Sequence, residues 1–83
     1  MRSKGSWAVL LHADDVHTDT AVAYAVREVC ALPAERCLDL ARELGESRTA
    51  ELTTIPDRRH AEEVVRRLQI FGLRATLRQA ADV

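Results

Sequence analysis

At 83 residues the chain is read as one domain, with room for a single small core built in two layers. Twelve Lys and Arg against thirteen Asp and Glu leave a formal charge of -1, so the basic excess of a nucleic-acid binder is absent. No apolar run approaches the roughly 20 residues that cross a bilayer, and the polar start MRSKGS is followed by no apolar segment with a small-residue cleavage site; a cytoplasmic location is therefore expected, with no membrane partner.

Residues 1–5 read as a short polar tail, 6–80 as the domain and 81–83 as a second tail. Trp7, Ala8, Val9, Leu10 and Leu11 form an apolar run that predicts a central, well-covered strand over 6–12. The chain then turns polar through His12, Ala13, Asp14, Asp15, Val16 and His17. Thr18 or Asp19 can cap a helix whose apolar stripe is Ala21, Val22, Tyr24, Ala25, Val26 and Val29. Pro33 suits the first turn of a second helix, which should run to Leu44 with Cys37, Leu38, Leu40, Ala41 and Leu44 inward and Gly45 as its stop.

Residues 48–55 alternate, with Ala50, Leu52 and Thr54 on one side and Thr49, Glu51 and Thr53 on the other, the mark of a half-exposed strand; Ile55 turns back inward at its end. Pro56-Asp57 opens a third helix with Ala61, Val64, Val65 and Leu68 inside, closed by Gly72. A last strand over 73–79 puts Leu73, Ala75 and Leu77 inward and Arg74, Thr76 and Arg78 outward. The order is strand, helix, helix, strand, helix, strand. This predicts an α+β fold with a three-stranded antiparallel sheet covered on one face by three helices.

Taken alone, Asp14-Asp15 is a turn signal. His12 and His17 with Asp14 and Asp19 could be read as a metal cluster, but adjacent strand residues face opposite ways and no further Cys or His joins them. Cys30 and Cys37 fall in helical patterns as two reduced core residues. Neither sits in a recognisable nucleophile setting, and no enzyme activity is expected. Arg58, Arg59, His60, Arg66 and Arg67 read as a solvated helix face interleaved with Glu62 and Glu63. Trp7 reads as core or rim. No cofactor is called for.

The stretch from Val9 to Thr18, V-L-L-H-A-D-D-V-H-T, resembles the V-x-L-x-N-D-D-x-x-T pattern of the ClpS family, and the following elements, up to the final GLRATL strand, keep that family's order. ClpS proteins are adaptors that bind the N-terminal residue of substrate proteins, the N-degron, and deliver them to a Clp AAA+ unfoldase. The same element order also resembles the C-terminal domain of the ribosomal stalk protein, which lacks the Asp-Asp turn.

The resemblance implies two partners, the N-terminal segments of substrate proteins and the N-terminal domain of a Clp unfoldase. It implies a pocket that holds the α-amino group at Ala13, Asp14, Asp15, His17 and Leu44, with a cavity wall and rim at Leu11, His12, Asp19, Val22, Leu40, Glu43 and Leu73. A buried ammonium needs acceptors to offset its desolvation. Here Ala13 stands where the family has an amine-binding Asn and Leu44 where it has a His, and neither side chain accepts a hydrogen bond. Asp19 replaces an apolar gate and Glu43 a rim valine.

The expectation is weakened or altered N-degron binding. If the cavity is open, the two rim carboxylates favour an Arg or Lys first residue over Leu or Phe. The alternative is an interaction module that has lost this recognition and serves another partner. The unfoldase-docking surface would fall around Thr53 to Arg59, and the five residues ahead of the first strand are shorter than the extension many ClpS proteins use in delivery.

Overall fold

The computed structural model describes residues 6–80, and the two expected tails lie outside them. Its elements are β1 Trp7–His12, α1 Asp19–Cys30, α2 Ala34–Ser47, β2 Thr49–Ile55, α3 Arg58–Ile70 and β3 Arg74–Gln79. The strands form an antiparallel sheet in the order β2-β1-β3. The apolar β1 is central, as its composition predicts, and the half-polar β2 and β3 are the edges.

Successive strand side chains alternate between the two faces of the sheet. Leu11 lies opposite Ala50 on one neighbour and Ala75 on the other, and all three are buried beneath the helices. Against them pack Val22, Ala25, Val26 and Val29 of α1, Cys37, Leu40, Ala41 and Leu44 of α2, and Ala61, Val64 and Leu68 of α3. On the other face Ala8 and Leu10 of β1 are flanked by polar side chains of the two edge strands. There Arg78 of β3 reaches Glu51 of β2 at 3.3 Å, bridging the two edge strands across β1.

Three expectations need correction, and the choice between Thr18 and Asp19 as helix cap is settled. The inward side of β2 breaks at a bulge: Val9 pairs with Thr53 but Leu10 with Glu51, so Leu52 has no opposite residue. The extra residue shifts the alternation by one; Thr54 faces solvent, Thr53 turns partly inward, and Ile55 is buried.

Gly45 does not stop α2. The helix continues to Ser47 and ends on Arg48, left-handed at φ 69, whose N–H donates to the Leu44 carbonyl at 2.9 Å. Ala21, Tyr24 and Leu38 are exposed rather than core, because each lies at the edge of its stripe. Asp19 is not a cap. Thr18 is the N-cap, its side chain accepting from the Ala21 amide, and Asp19 opens the first turn.

The α3 expectations hold more closely. Asp57 caps the helix by accepting from the Arg59 amide, and Arg58–Glu62 and Arg66–Glu63 pairs lie on its wet face. Trp7 is half-buried under the Arg58 guanidinium, 4.8 Å from the ring centre. Both cysteines are free, and burial pushes the Cys30 thiol up. The turn into β3 requires Gly72. Its φ is +89, and a Cβ there would stand 3.2 Å from Nε2 of His17.

Candidate functional site

The turn after β1 is organised by Asp14. Its Oδ1 accepts from the backbone amides of Val16 and His17, each at 2.9 Å, and its Oδ2 stands 2.9 Å from Nδ1 of His17. These amide donors, the His17 amide first, hold the Asp14 carboxyl down at about 2. The same turn is clipped to the far end of α2, where the Ala13 amide donates to the Arg48 carbonyl at 2.9 Å. Thr18 then starts α1, so the turn, the first turns of α1 and the last turns of α2 enclose one space, closed below by Leu73 before β3.

That space is a cavity of about 120 Å³. His12, Ala13, Asp14 and His17 form its β1 side, Asp19 and Val22 its α1 side, Ala41, Leu44, Gly45 and Arg48 its α2 side, and Leu73 its floor. Eight of the twelve residues expected from the resemblance therefore meet there: Ala13, Asp14, His17, Leu44, His12, Asp19, Val22 and Leu73.

The other four do not line it. Leu11 and Leu40 lie behind it in the core, essentially without exposure. Glu43 is exposed on α2, and Asp15 points to water with 97% of its side chain exposed, 3.9 Å from Arg48.

Three lining residues escape the sequence reading. Ala41 shares the buried stripe of Leu40 and Leu44 and could have been placed from it. Gly45 reads as a helix stop and is instead a residue of the wall. Arg48 reads as the first position of a strand and is the left-handed cap that turns its guanidinium toward this end of the fold.

The electrostatics are mixed. The Asp14 carboxylate is already engaged by two amides and an imidazole, and Asp19 adds a second negative charge at the mouth. Arg48 sets a positive charge beside them. His12 has one ring nitrogen 2.8 Å from the Thr76 hydroxyl. Among the described residues, no group of three or more His, Cys, Asp or Glu side chains is placed to hold a metal ion, and no helix is long and apolar enough to cross a membrane.

The low folded-state value of Asp14 has a definite sign in stability. Its ordinary value is 3.8 and its folded value about 2. The ionised carboxylate thus stabilises the fold above pH 3.8, and this contribution is lost as pH falls toward 2. Asp14→Asn keeps an oxygen for the two amides but removes the charge. The variant should unfold at lower urea than the wild type at pH 7, with the gap closing between about pH 4 and pH 2. A gap that does not change with pH would show that the carboxylate charge contributes nothing.

No protein-family model matches the chain, and no curated protein does. Among solved structures, Agrobacterium tumefaciens ClpS2 bound to L-phenylalaninamide is similar with a TM-score of 0.86 at 16% identity, over 92% of this chain and 98% of that one. The three helices, the antiparallel sheet and their order are shared across nearly the whole of both chains; this chain has a ClpS-like fold, in a strongly divergent sequence.

Proposed function

We propose that this domain is a peptide-binding adaptor of the ClpS type, whose cavity receives the first residue of a partner chain with a weakened hold on its α-amino group. The observation that carries this reading is the cavity itself, which lies between the Ala13-Asp14 turn and Leu44, where the resemblance places amino-terminus binding. The ClpS-like fold supports the same reading, since the neighbouring ClpS2 structure holds an amino-acid amide.

The weakening follows from the lining. Ala13 and Leu44 offer the ammonium no side-chain acceptor, and each missing hydrogen bond to a charged group is worth about 1.5–3 kcal/mol. Arg48 adds a like charge nearby. The volume also restricts the first side chain: an engineered cavity of about 150 Å³ takes one benzene ring, and this one, at about 120 Å³, is smaller. Delivery to a Clp unfoldase through the region from Thr53 to Arg59 belongs to the proposal and rests on the resemblance alone.

The test is titration calorimetry with peptides varied only at the first residue, each with a free and an acetylated N-terminus. Free peptides should bind, more weakly than low micromolar for Leu, Phe, Trp or Tyr, and acetylated ones should not. Low-micromolar or tighter binding abolished by acetylation would refute the weakened hold. Equal binding of both forms would favour the second reading, an interaction module without amino-terminus recognition, for which the apolar Leu44 and the cationic Arg48 in the wall are the motive.

The preference among first residues has its own test. With Glu43 away from the cavity, an acidic gate depends on Asp19 alone at the mouth, so the expected preference for Arg over Leu should disappear in Asp19→Met. A fluorescence-anisotropy ratio unchanged by that substitution would remove the gate.

A further inference from the structure

The cavity has a neighbour across Leu73. A shallower groove of about 410 Å³ shares His12 and Leu73 with it and runs along the start of β3, beside Arg74, Ala75 and Thr76 and against Gln69 of α3. β3 is an edge strand, so nothing in the sheet covers its outer side.

Most polar groups along this groove are already engaged. The Thr76 hydroxyl lies 2.8 Å from the His12 ring, and the Gln69 amide donates to the Ala75 carbonyl at 3.2 Å. Leu73 and Ala75 are buried and give an apolar floor. Arg74 is different. It is exposed, it stands opposite His12 in the ladder, and no ion pair among the described residues engages it. Among the described residues it is the one Lys, Arg, Asp or Glu side chain on the groove. Asp19, the carboxylate of the mouth, lies on the α1 side instead.

A chain with its first residue in the cavity must leave over one of its sides, and on the side of His12 and Leu73 this groove adjoins it. An extended chain advances about 3.3 Å per residue, so the second to fourth residues are the ones that pass beside β3. We infer that the bound chain leaves the cavity along the β3 edge and that Arg74 selects an acidic side chain among its second to fourth residues. The inference rests on the cavity's being the site of the first residue. The occupant is a partner protein whose amino-terminus is followed by Asp or Glu.

The test uses fluorescence anisotropy with the full chain and labelled peptides that share one first residue. They carry Asp, Ala or Lys at positions two to four, each with a free and an acetylated N-terminus. At low salt the Asp peptides should bind about fivefold more tightly than the Lys peptides, the scale of one exposed ion pair, and high salt should shrink the difference. Arg74→Gln should abolish the preference and Arg74→Glu should reverse it; Arg74 is exposed and off the core, so both variants should fold.

Equal binding of Asp and Lys peptides, or a preference that survives Arg74→Glu, overturns the groove, while dependence on a free amino group leaves the cavity reading standing. Acetylated peptides that bind as well as free ones, with the reversal intact, overturn the cavity reading and keep Arg74 as a selector of acidic chains. No binding by any peptide at millimolar concentration overturns both.

Discussion

Replacing Ala13 by Asn and Leu44 by His together should tighten the binding of free-amino-terminus peptides by about a hundredfold. Each substitution restores a side-chain acceptor on a cavity wall, and a hydrogen bond to a charged group contributes about 1.5–3 kcal/mol, so two supply at least about 3 kcal/mol before losses. The geometry permits both. Ala13 and Leu44 line the same space from opposite sides, and Ala13 is anchored by its own amide on the Arg48 carbonyl. The Asp14 carboxylate stays ionised throughout the working range, because its folded value is about 2. A bound ammonium therefore meets a permanent negative charge on this side of the cavity.

The cost falls on stability. Leu44 is buried at 5% exposure, and a polar ring there loses apolar packing. Calorimetry should be run well below the unfolding temperature, with the acetylated peptide as control. A gain shared equally by the acetylated peptide would mean that the new side chains enlarge a nonspecific surface and do not hold an ammonium.

What the sequence could reveal followed the physics of each segment. The apolar run Trp7 to Leu11 predicted a central strand because only a strand paired on both sides buries so much of its length, and the structure places it there as most of β1. The alternation over 73–79 held because an edge strand without a bulge keeps period two. The same rule failed in β2, where one unpaired residue, Leu52, moved Thr54 to the surface; alternation carries no mark of an inserted residue until its partner strand is known.

The site was legible where it lies on consecutive residues, from His12 to Asp19, and less so on α2. Leu40, Ala41, Glu43, Leu44, Gly45 and Arg48 stand within nine positions, and a helix turns each by about 100° from the last. Which of them face the cavity depends on where the helix ends. A stop at Gly45 hides Arg48, and the observed end, three residues later, brings it into the wall.

Leu40→Ala carries the largest expected stability effect, and it separates two roles for this residue. The resemblance makes Leu40 a cavity wall, whereas the structure gives it 0% exposure and places it in the core cluster, outside the cavity lining. A side chain packed on all sides loses both its transfer free energy and the contacts around the void it leaves, about 2–5 kcal/mol for Leu→Ala. Domains are stabilised by only about 5–15 kcal/mol in total, with short chains at the low end. A urea slope of about 1 kcal/mol per molar, usual for small proteins, turns that loss into a midpoint lower by about 2 M or more, with the slope itself unchanged.

A residue facing an empty cavity would already lack contacts on that side, and its truncation would cost little while widening the space for a first side chain. A midpoint shift below about 1 M, accompanied by tighter binding of Phe or Trp peptides, would place Leu40 on the cavity wall. The full shift without any change in first-residue preference places it in the core. In that case the limit on the first side chain is set by Val22, Leu44 and Leu73, the larger apolar residues that do line the space.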